Sequence, residues 1–361
     1  MFYGIDLAKE SFKAAILAEG SSDVRMISSP LQGDAFDRFK NKLTDTDYVA
    51  IEASTNTFWF VDQIRGRVKD CFVLDPYALS NIYNAQKKTD VVDAIKIAHR
   101  LKCHILYDDS SLHFPSIFIP DHTIRELRSL LTTYDTLKCE LVMAKNRIRS
   151  ILTQNGFTGL KSKDLCRLKH QETIMALPLQ DGTLAQLRIL FNLLRCLESG
   201  IEQTRNEVLR QGSAFAHEVD LLTSIRGISP FVAVMIMADI ADIRRFPNAK
   251  HFCSYLRAAP KIDASGKSTR IGKVNKHSRP GTMSLLVECI NHFRDGSKGI
   301  NAFFERKVKG KSRGKVRVAV VRKILVAIYH MLTNNEYYRD MDYENHDRKM
   351  REFNKIIKKA A

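Results

Sequence analysis

Short apolar runs alternate with amphipathic stretches along the first hundred residues. Residues 2–8 (Phe-Tyr-Gly-Ile-Asp-Leu-Ala) and 12–18 (Phe-Lys-Ala-Ala-Ile-Leu-Ala) read as two short strands, with Lys9-Glu10-Ser11 between them predicting a hairpin. Val24 to Ser28 predicts a third strand, and Asp34 to Leu43 sets Phe36, Phe39 and Leu43 on one helical face. Tyr48 to Glu52 is a strand of the buried type. Phe58 to Val68 suits a helix, with Trp59 assigned to the core. Cys71 to Leu74 is another strand, closed by Asp75-Pro76. Asp90 to Leu101 predicts an amphipathic helix with Val91, Ile95, Ala98 and His99 along one side. Strands followed by alternating helix and strand indicate an α/β layer on a mixed sheet.

The pattern then changes period. Ile124, Leu127, Leu131, Tyr134, Leu141, Ile148 and Leu152 follow a three-four alternation, interrupted by Lys138 and Lys145. Leu187, Leu190, Leu194, Leu197, Ile201 and Val208 repeat it. Gly156, Gly159 and Pro178 separate the two runs, which predicts a long antiparallel helical hairpin or coiled-coil arm. Near Leu221 a third part begins: Leu222-Thr223-Ser224-Ile225-Arg226-Gly227-Ile228-Ser229-Pro230 precedes an apolar helix, Phe231 to Ile240. Helix, glycine turn and helix form a compact unit whose turn amides can face a phosphate backbone. Phe252 to Leu256 suggests a further helix.

Composition narrows the class. At roughly 150 residues per domain, two to three domains are expected of 361 residues, 44% of them apolar and 27% charged. No apolar run approaches the roughly 20 residues of a bilayer span. The N-terminus lacks the basic and apolar regions of a secretory signal. The seven cysteines lie at least 27 residues apart, so no CxxC motif exists, and reduced thiols in a cytoplasmic protein are expected. Charge changes the picture most. Residues 1–100 carry 13 basic and 14 acidic side chains, whereas the remaining 261 carry 44 and 26. Residues 244–281 hold ten basic side chains against Asp263 alone, and residues 306–323 hold nine against none. Such asymmetry predicts a polyanionic partner, and nucleic acid fits it.

Four carboxylates stand out. Asp6 sits inside the first strand and Glu52 ends the fourth, where a bare charge is costly unless paired or bound to a cation. Asp90 and Asp93, three apart at a helix start, project from one face. Together they can form an all-oxygen site of the kind that suits Mg²⁺ or Mn²⁺. Asp90 and Asp93 serve equally well as helix-capping acids on this reading. Gly310-Lys311-Ser312 resembles the tail of a phosphate loop but has Glu305 in place of its first glycine, so it reads as a basic surface.

Gly4-Ile5-Asp6-Leu7-Ala8-Lys9, Ile51-Glu52-Ala53 and Lys88-Thr89-Asp90-Val91-Val92-Asp93-Ala94 resemble the RuvC-like domain of the DEDD transposases. These are bacterial insertion-sequence recombinases related to the Piv and MooV DNA invertases. The spacings also fit, with 46 residues from Asp6 to Glu52, 38 from Glu52 to Asp90, then three. Ile225 to Pro230 is similar to that family's helix-hairpin-helix-like segment. Ser265-Gly266-Lys267-Ser268-Thr269-Arg270-Ile271-Gly272 with Lys276 resembles its serine motif, although His277-Ser278-Arg279-Pro280-Gly281 replaces the usual Lys-x-Gly continuation.

The resemblance implies an α/β RuvC or RNase H-like domain over 1–105 and a helical coiled-coil arm over 120–215. A mostly α-helical transposase domain over 218–340 and a basic tail over 341–361 follow. It implies metal ligands at Asp6, Glu52, Asp90 and Asp93, and a serine nucleophile that forms a phosphoserine link. By position that serine is Ser265, with Ser268 a close rival. Phosphate contacts are expected from Lys267, Arg270, Lys273, Lys276, Arg279, Lys309, Lys311, Arg313 and Lys315. The implied partners are donor and target DNA, a non-coding bridge RNA, and further copies of the chain in a dimer or tetramer. Two other readings of the residues remain open. One is a metal-dependent nuclease like a Holliday-junction resolvase, and the other is a nucleic-acid-binding protein without catalysis.

Overall fold

The computed structural model describes residues 1–82, 90–107, 114–159, 161, 164–265, 268–274 and 281–360, with the side chains of 80–82, 260–265, 268–274 and 359–360 outside the description. It divides into two compact units, Met1–Pro120 and Asp121–Ala361.

In the first unit, β1 (Phe2–Leu7), β2 (Ser11–Leu17) and β3 (Val24–Pro30) form an antiparallel meander. After α1 (Asp34–Lys42), β4 (Tyr48–Glu52) pairs parallel to β1. After α2 (Thr57–Ile64), β5 (Asp70–Leu74) pairs parallel to β4. Then come α3 (Pro76–Ile82), α4 (Asp90–Tyr107) and the two-residue strand β6 (Ser116–Ile117), antiparallel to β5. The mixed sheet runs β3-β2-β1-β4-β5-β6.

Strand side chains alternate between two covered faces. Tyr3, Ile5, Leu7, Val49, Ile51 and Val73 pack against Phe36 and Phe39 of α1 and Phe60, Val61 and Ile64 of α2. Phe2, Ala15, Leu17, Ala50 and Leu74 pack against Ala94, Ile97, Ala98 and Leu101 of α4. Burial on both faces explains why β1 and β4 read as nearly continuous apolar runs. At Gly4 the contact is backbone to backbone. A β-carbon there would lie 2.2 Å from the Ala98 amide nitrogen and 2.3 Å from the Ala94 carbonyl oxygen.

Three details differ from the sequence reading. The helix expected over 58–68 stops at Ile64 and continues only as a 3₁₀ turn over Arg65–Arg67, where Gly66 weakens the helical preference. The last helix of the unit runs on to Tyr107. Trp59 is not a core residue: Thr57, Phe60, Val61 and Ile64 take the inward face of α2, and Trp59 is 42% exposed, stacked on the Phe36 ring.

The second unit begins with α5 (His122–Gln154), whose first turn is capped by Asp121 Oδ1 accepting from the Ile124 amide at 2.8 Å. It continues through α6 (Leu168–Met175), α7 (Asp181–Gln211), α8 (Ala216–Thr223), α9 (Pro230–Ile240) and α10 (Ala249–Tyr255). A hairpin of β7 (Pro260–Ser265) and β8 (Ser268–Val274) follows. The rest is α11 (Gly281–Glu288), α12 (Ile290–Gly296), α13 (Lys298–Val308), α14 (Arg313–Asn334) and α15 (Tyr343–Ala360). Among the described residues no helix is long and apolar enough to cross a membrane.

Helices α5 and α7 pack as an antiparallel pair. At its far end Ala144, Ile148, Ile151 and Leu152 meet Leu187, Phe191, Leu194 and Leu197. At its root Leu127, Leu131, Val208 and Leu209 join the larger core of the following helices. Neither interrupting lysine spoils the seam. Lys138 lies over the Tyr134 ring, and Lys145 with Glu198 reaches the Cys166 thiol. The axis of the larger core is α9, ten of whose eleven residues are buried. Ser229 caps it and Pro230 occupies its first turn, as their order in sequence suggests.

Residues 341–361 are not a free basic tail. Met350, Phe353, Ile356 and Ile357 recur at helical spacing among the basic residues, and α15 docks that stripe on the core with Phe353 only 1% exposed. Lys349 Nζ donates to the carbonyls of Thr223 at 2.7 Å and Ile225 at 3.1 Å, closing the end of α8. Burial pulls its pKa down to about 8.

Two substitutions test these contacts. Gly4→Ala forces a methyl into the α4 backbone and is expected to cost about 1–3 kcal/mol, read as a lower urea midpoint of the first unit. An unchanged midpoint would show that α4 does not rest on β1. Phe353→Ala should cost about 3–5 kcal/mol in the second unit. A variant as stable as the parent would make α15 a tail after all.

Candidate functional site

The pleat of the sheet places the strand carboxylates. Gly4 faces α4, so Asp6, two residues on, lies on that same face. Ile5 pairs with Ile51 in parallel register, which brings Asp6 beside Glu52 on the neighbouring strand. Both are half-buried at the carboxyl ends of their strands. Asp90 and Asp93 open α4 on the same side of the sheet. Lys13, which stands opposite Asp6 on β2, reaches Asp90 Oδ2 at the start of α4 with its Nζ at 3.0 Å. The four acids therefore share one sheet face and one end of it. Lys88 and Thr89 of the preceding motif lie outside the described residues.

Their environments differ. The Asp90 side chain is 62% exposed, and its hydrogen bond and charge pairing with Lys13 hold its carboxyl below the usual carboxylate range. Asp93 is 17% exposed, with Lys96 Nζ at 3.8 Å. The loops behind the strands are tied together: Asn56 donates to the Ala8 carbonyl at 3.1 Å, and Thr57 Oγ1 donates to the Glu52 carbonyl at 3.2 Å. The donor set, carboxylate oxygens only, has the chemistry of a magnesium-type site. Among the described residues, however, no three His, Cys, Asp or Glu side chains already stand together as a ligand set, and Lys13 occupies Asp90. Lys13 is a neighbour of these acids that the sequence reading does not single out. Its signal was the hairpin register, which sets residue 13 opposite residue 6.

In the second unit Ser265 ends β7 and Ser268 begins β8, and the two stand opposite each other in register. Arg270 pairs in register with Asp263, and Lys273 lies near the end of β8. Lys267, Lys276 and Arg279 lie outside the described residues. At the glycine turn between α8 and α9 the backbone packs closely on a neighbouring helix. Gly227 has φ +101°, and a β-carbon there would come within 2.7 Å of His292 Cβ in α12. Since α9 is buried almost throughout, this pair of helices serves as core.

Lys309 and Lys311 fall in the connection between α13 and α14, and Arg313 and Lys315 in the first turn of α14; all four are exposed. Ser312 makes no side-chain cap there. Cations at the positive end of a helix repel its dipole, and an anion relieves that repulsion.

Comparison with known proteins identifies the family. Residues 3–156 match the model of the DEDD transposases of the IS110 type, described as a transposase. Residues 219–298 match the model described as the transposase IS116/IS110/IS902 family. The pilin gene-inverting protein of Moraxella bovis is 23% identical over 351 residues, covering 92% of this chain and 96% of that protein. A Sinorhizobium fredii protein provisionally named as transposase y4qE is 23% identical over 301 residues, 81% of this chain and 72% of its own. The 43.6 kDa protein of insertion element IS110 from Streptomyces coelicolor is 22% identical over 314 residues, 72% of this chain and 74% of its own. With two models of the same family matched along the chain and relatives aligned across most of its length, the chain belongs to the IS110 family of DEDD transposases.

Proposed function

We propose that this transposase cuts and rejoins DNA through a phosphoserine intermediate, with a divalent cation held by Asp6, Glu52, Asp90 and Asp93 and with a bridge RNA selecting the DNA. What supports this reading is that strand register and the start of α4 direct the four acids to one face and one end of the sheet, in a chain whose second unit carries a serine hairpin flanked by basic residues.

In the first step Ser265 Oγ attacks a DNA phosphorus. A phosphorus–oxygen ester bond to the DNA breaks, the departing DNA oxygen leaves as a hydroxyl, and the serine proton passes to solvent or a neighbouring base. In the second step a DNA hydroxyl attacks the phosphoserine and returns the oxygen to the serine. A serine hydroxyl needs activation, and cations beside it lower the cost of its anion and of the charge developing on phosphate. Lys267, Arg270, Lys273, Lys276 and Arg279 are assigned that work. A bound Mg²⁺ or Mn²⁺ would add neutralising charge at the phosphate oxygens. Asp6 and Glu52, half-buried at the strand ends, would hold it together with Asp93, and Asp90 would first part from Lys13. That pair is exposed, so separating it costs little.

Lys309, Lys311, Arg313 and Lys315 bind nucleic-acid backbone in this reading, consistent with their exposure and the absence of any acid in 306–323. Residues 1–105, 120–215 and 218–340 act as metal-dependent, arm and serine domains. Two DNA ends need more than one serine, hence a homo-oligomer. Val142, Met143, Ile189 and Leu193, all exposed on α5 and α7, give the arm an apolar surface suited to a second copy.

The test combines purified protein, donor and target DNA, the non-coding RNA flanking its gene, and Mg²⁺. A covalent protein–DNA adduct is expected, lost in Ser265→Ala with RNA binding intact and kept in Ser268→Ala. The opposite pattern moves the nucleophile to Ser268. Asp6→Asn or Glu52→Gln should slow adduct formation by about 10²–10³-fold. Cleavage without any adduct would identify a metal-dependent nuclease instead.

A further inference from the structure

Helix α9 reads Pro-Phe-Val-Ala-Val-Met-Ile-Met-Ala-Asp-Ile, and Asp239 is its one charged residue. It is 4% exposed. A carboxylate in the last turn of a helix faces the negative end of the helix dipole, and a buried one also loses its hydration. An apolar side chain would satisfy packing here without either cost, so the acid calls for another explanation.

Its contacts supply one. Asp239 Oδ2 accepts from the Thr282 hydroxyl at 2.6 Å and from the Thr282 amide at 3.4 Å, in the first turn of α11. The carboxyl group thus sits at the N-terminal end of α11, whose dipole favours an acceptor there. The main-chain carbonyl of Asp239 accepts from the Tyr255 phenol at 3.1 Å, at the end of α10. Tyr255 lies five residues before β7, and Thr282 follows Gly281 directly after the 260–280 segment. One residue therefore fastens both stems of the segment that carries Ser265, Ser268, Arg270 and Lys273. The fastening point is itself rigid. Arg128 donates to the carbonyls of Ala238 at 2.8 Å and Asp239 at 3.0 Å, and Arg245 donates to the carbonyl of Ile240 at 2.7 Å. The Arg245 guanidinium lies 4.3 Å from the centroids of both the Phe246 and Tyr255 rings.

We propose that Asp239 is a positioning residue: by holding Thr282 and Tyr255 at the end of the buried helix α9, it fixes the span and register of the serine hairpin relative to the core. This rests on the reading that the hairpin carries the nucleophile. A hydroxyl misplaced by an ångström loses much of the rate while the DNA still binds elsewhere on the protein.

The experiment uses the full-length protein with Thr282→Val, Thr282→Ser and Tyr255→Phe. Deuterium uptake across 260–280 and across α9 is measured beside adduct formation at saturating donor DNA, with flanking RNA and Mg²⁺ present. Thr282→Val and Tyr255→Phe should each raise uptake in 260–280 but not in α9, and slow adduct formation by about 10–100-fold with the DNA dissociation constant unchanged. Thr282→Ser should restore both. Uptake in 260–280 equal to the parent, or slowing that Thr282→Ser fails to restore, overturns the proposal. Uptake that rises equally in α9 also overturns it, because the contact would then be merely structural. If the parent protein forms no serine adduct, the serine reading fails, and the exchange measurement still decides whether Asp239 anchors the segment.

Discussion

The first unit is organised by a contact that exists because one position has no side chain. At Gly4 the backbone of α4 lies against β1 so closely that a β-carbon would overlap the Ala98 amide. The small residues Ala94 and Ala98 answer from the helix. This approach fixes which strand face looks toward α4, and with period-two alternation it commits Asp6 and Glu52 to that face. Lys13 on β2 pairs with Asp90 at the start of that helix. Small-residue packing thus turns toward one sheet face carboxylates that 87 residues of chain separate, without yet closing them into a ligand set.

The second unit answers a different constraint. A helix as apolar as α9 must be buried all round, and its end then presents carbonyls with no water to satisfy them. Arg128, Arg245 and Tyr255 meet that need from three parts of the chain. The same requirement explains Lys349, which reaches the carbonyls at the end of α8 from α15. Two populations of basic residues stand out in this unit. One is consumed by helix ends inside the fold, and the other, Lys309, Lys311, Arg313 and Lys315, stays exposed in a stretch without acids. The second population repels itself, and a nucleic-acid backbone lowers that repulsion.

Much of the architecture was legible because it is written in local periodicity. Short apolar runs bounded by polar turns place β1, β2, β4 and β5, and the three-four repeat places α5 and α7 with their antiparallel pairing. Long, regular signals of this kind survive tertiary context. Elements without a period were missed: β6 is two residues long, and α3 and α6 are a few turns at most. Trp59 was misread because an aromatic in an apolar run looks like core until the inward face of α2 is known. The 341–361 segment looked like a tail because its charge drew attention from the spacing of Met350, Phe353 and Ile357. The acids Asp6, Glu52, Asp90 and Asp93 were visible from motif and context. Lys13 and Asp239 were not singled out, although a strand register and a lone charge in an apolar helix mark them.

What the sequence determined by itself was the type of each long element, the asymmetry of charge and the identity of the family, since all three reside in residue order and short-range spacing. The tertiary structure alone decided which polar groups face one another. It tied Lys13 to Asp90, turned the α8–α9 pair into core, folded α15 onto that core and brought both stems of the serine segment to Asp239. Those outcomes depend on contacts between residues far apart in the chain, whose geometry is set by close packing and by the need to satisfy every buried polar group. No local pattern carries that information.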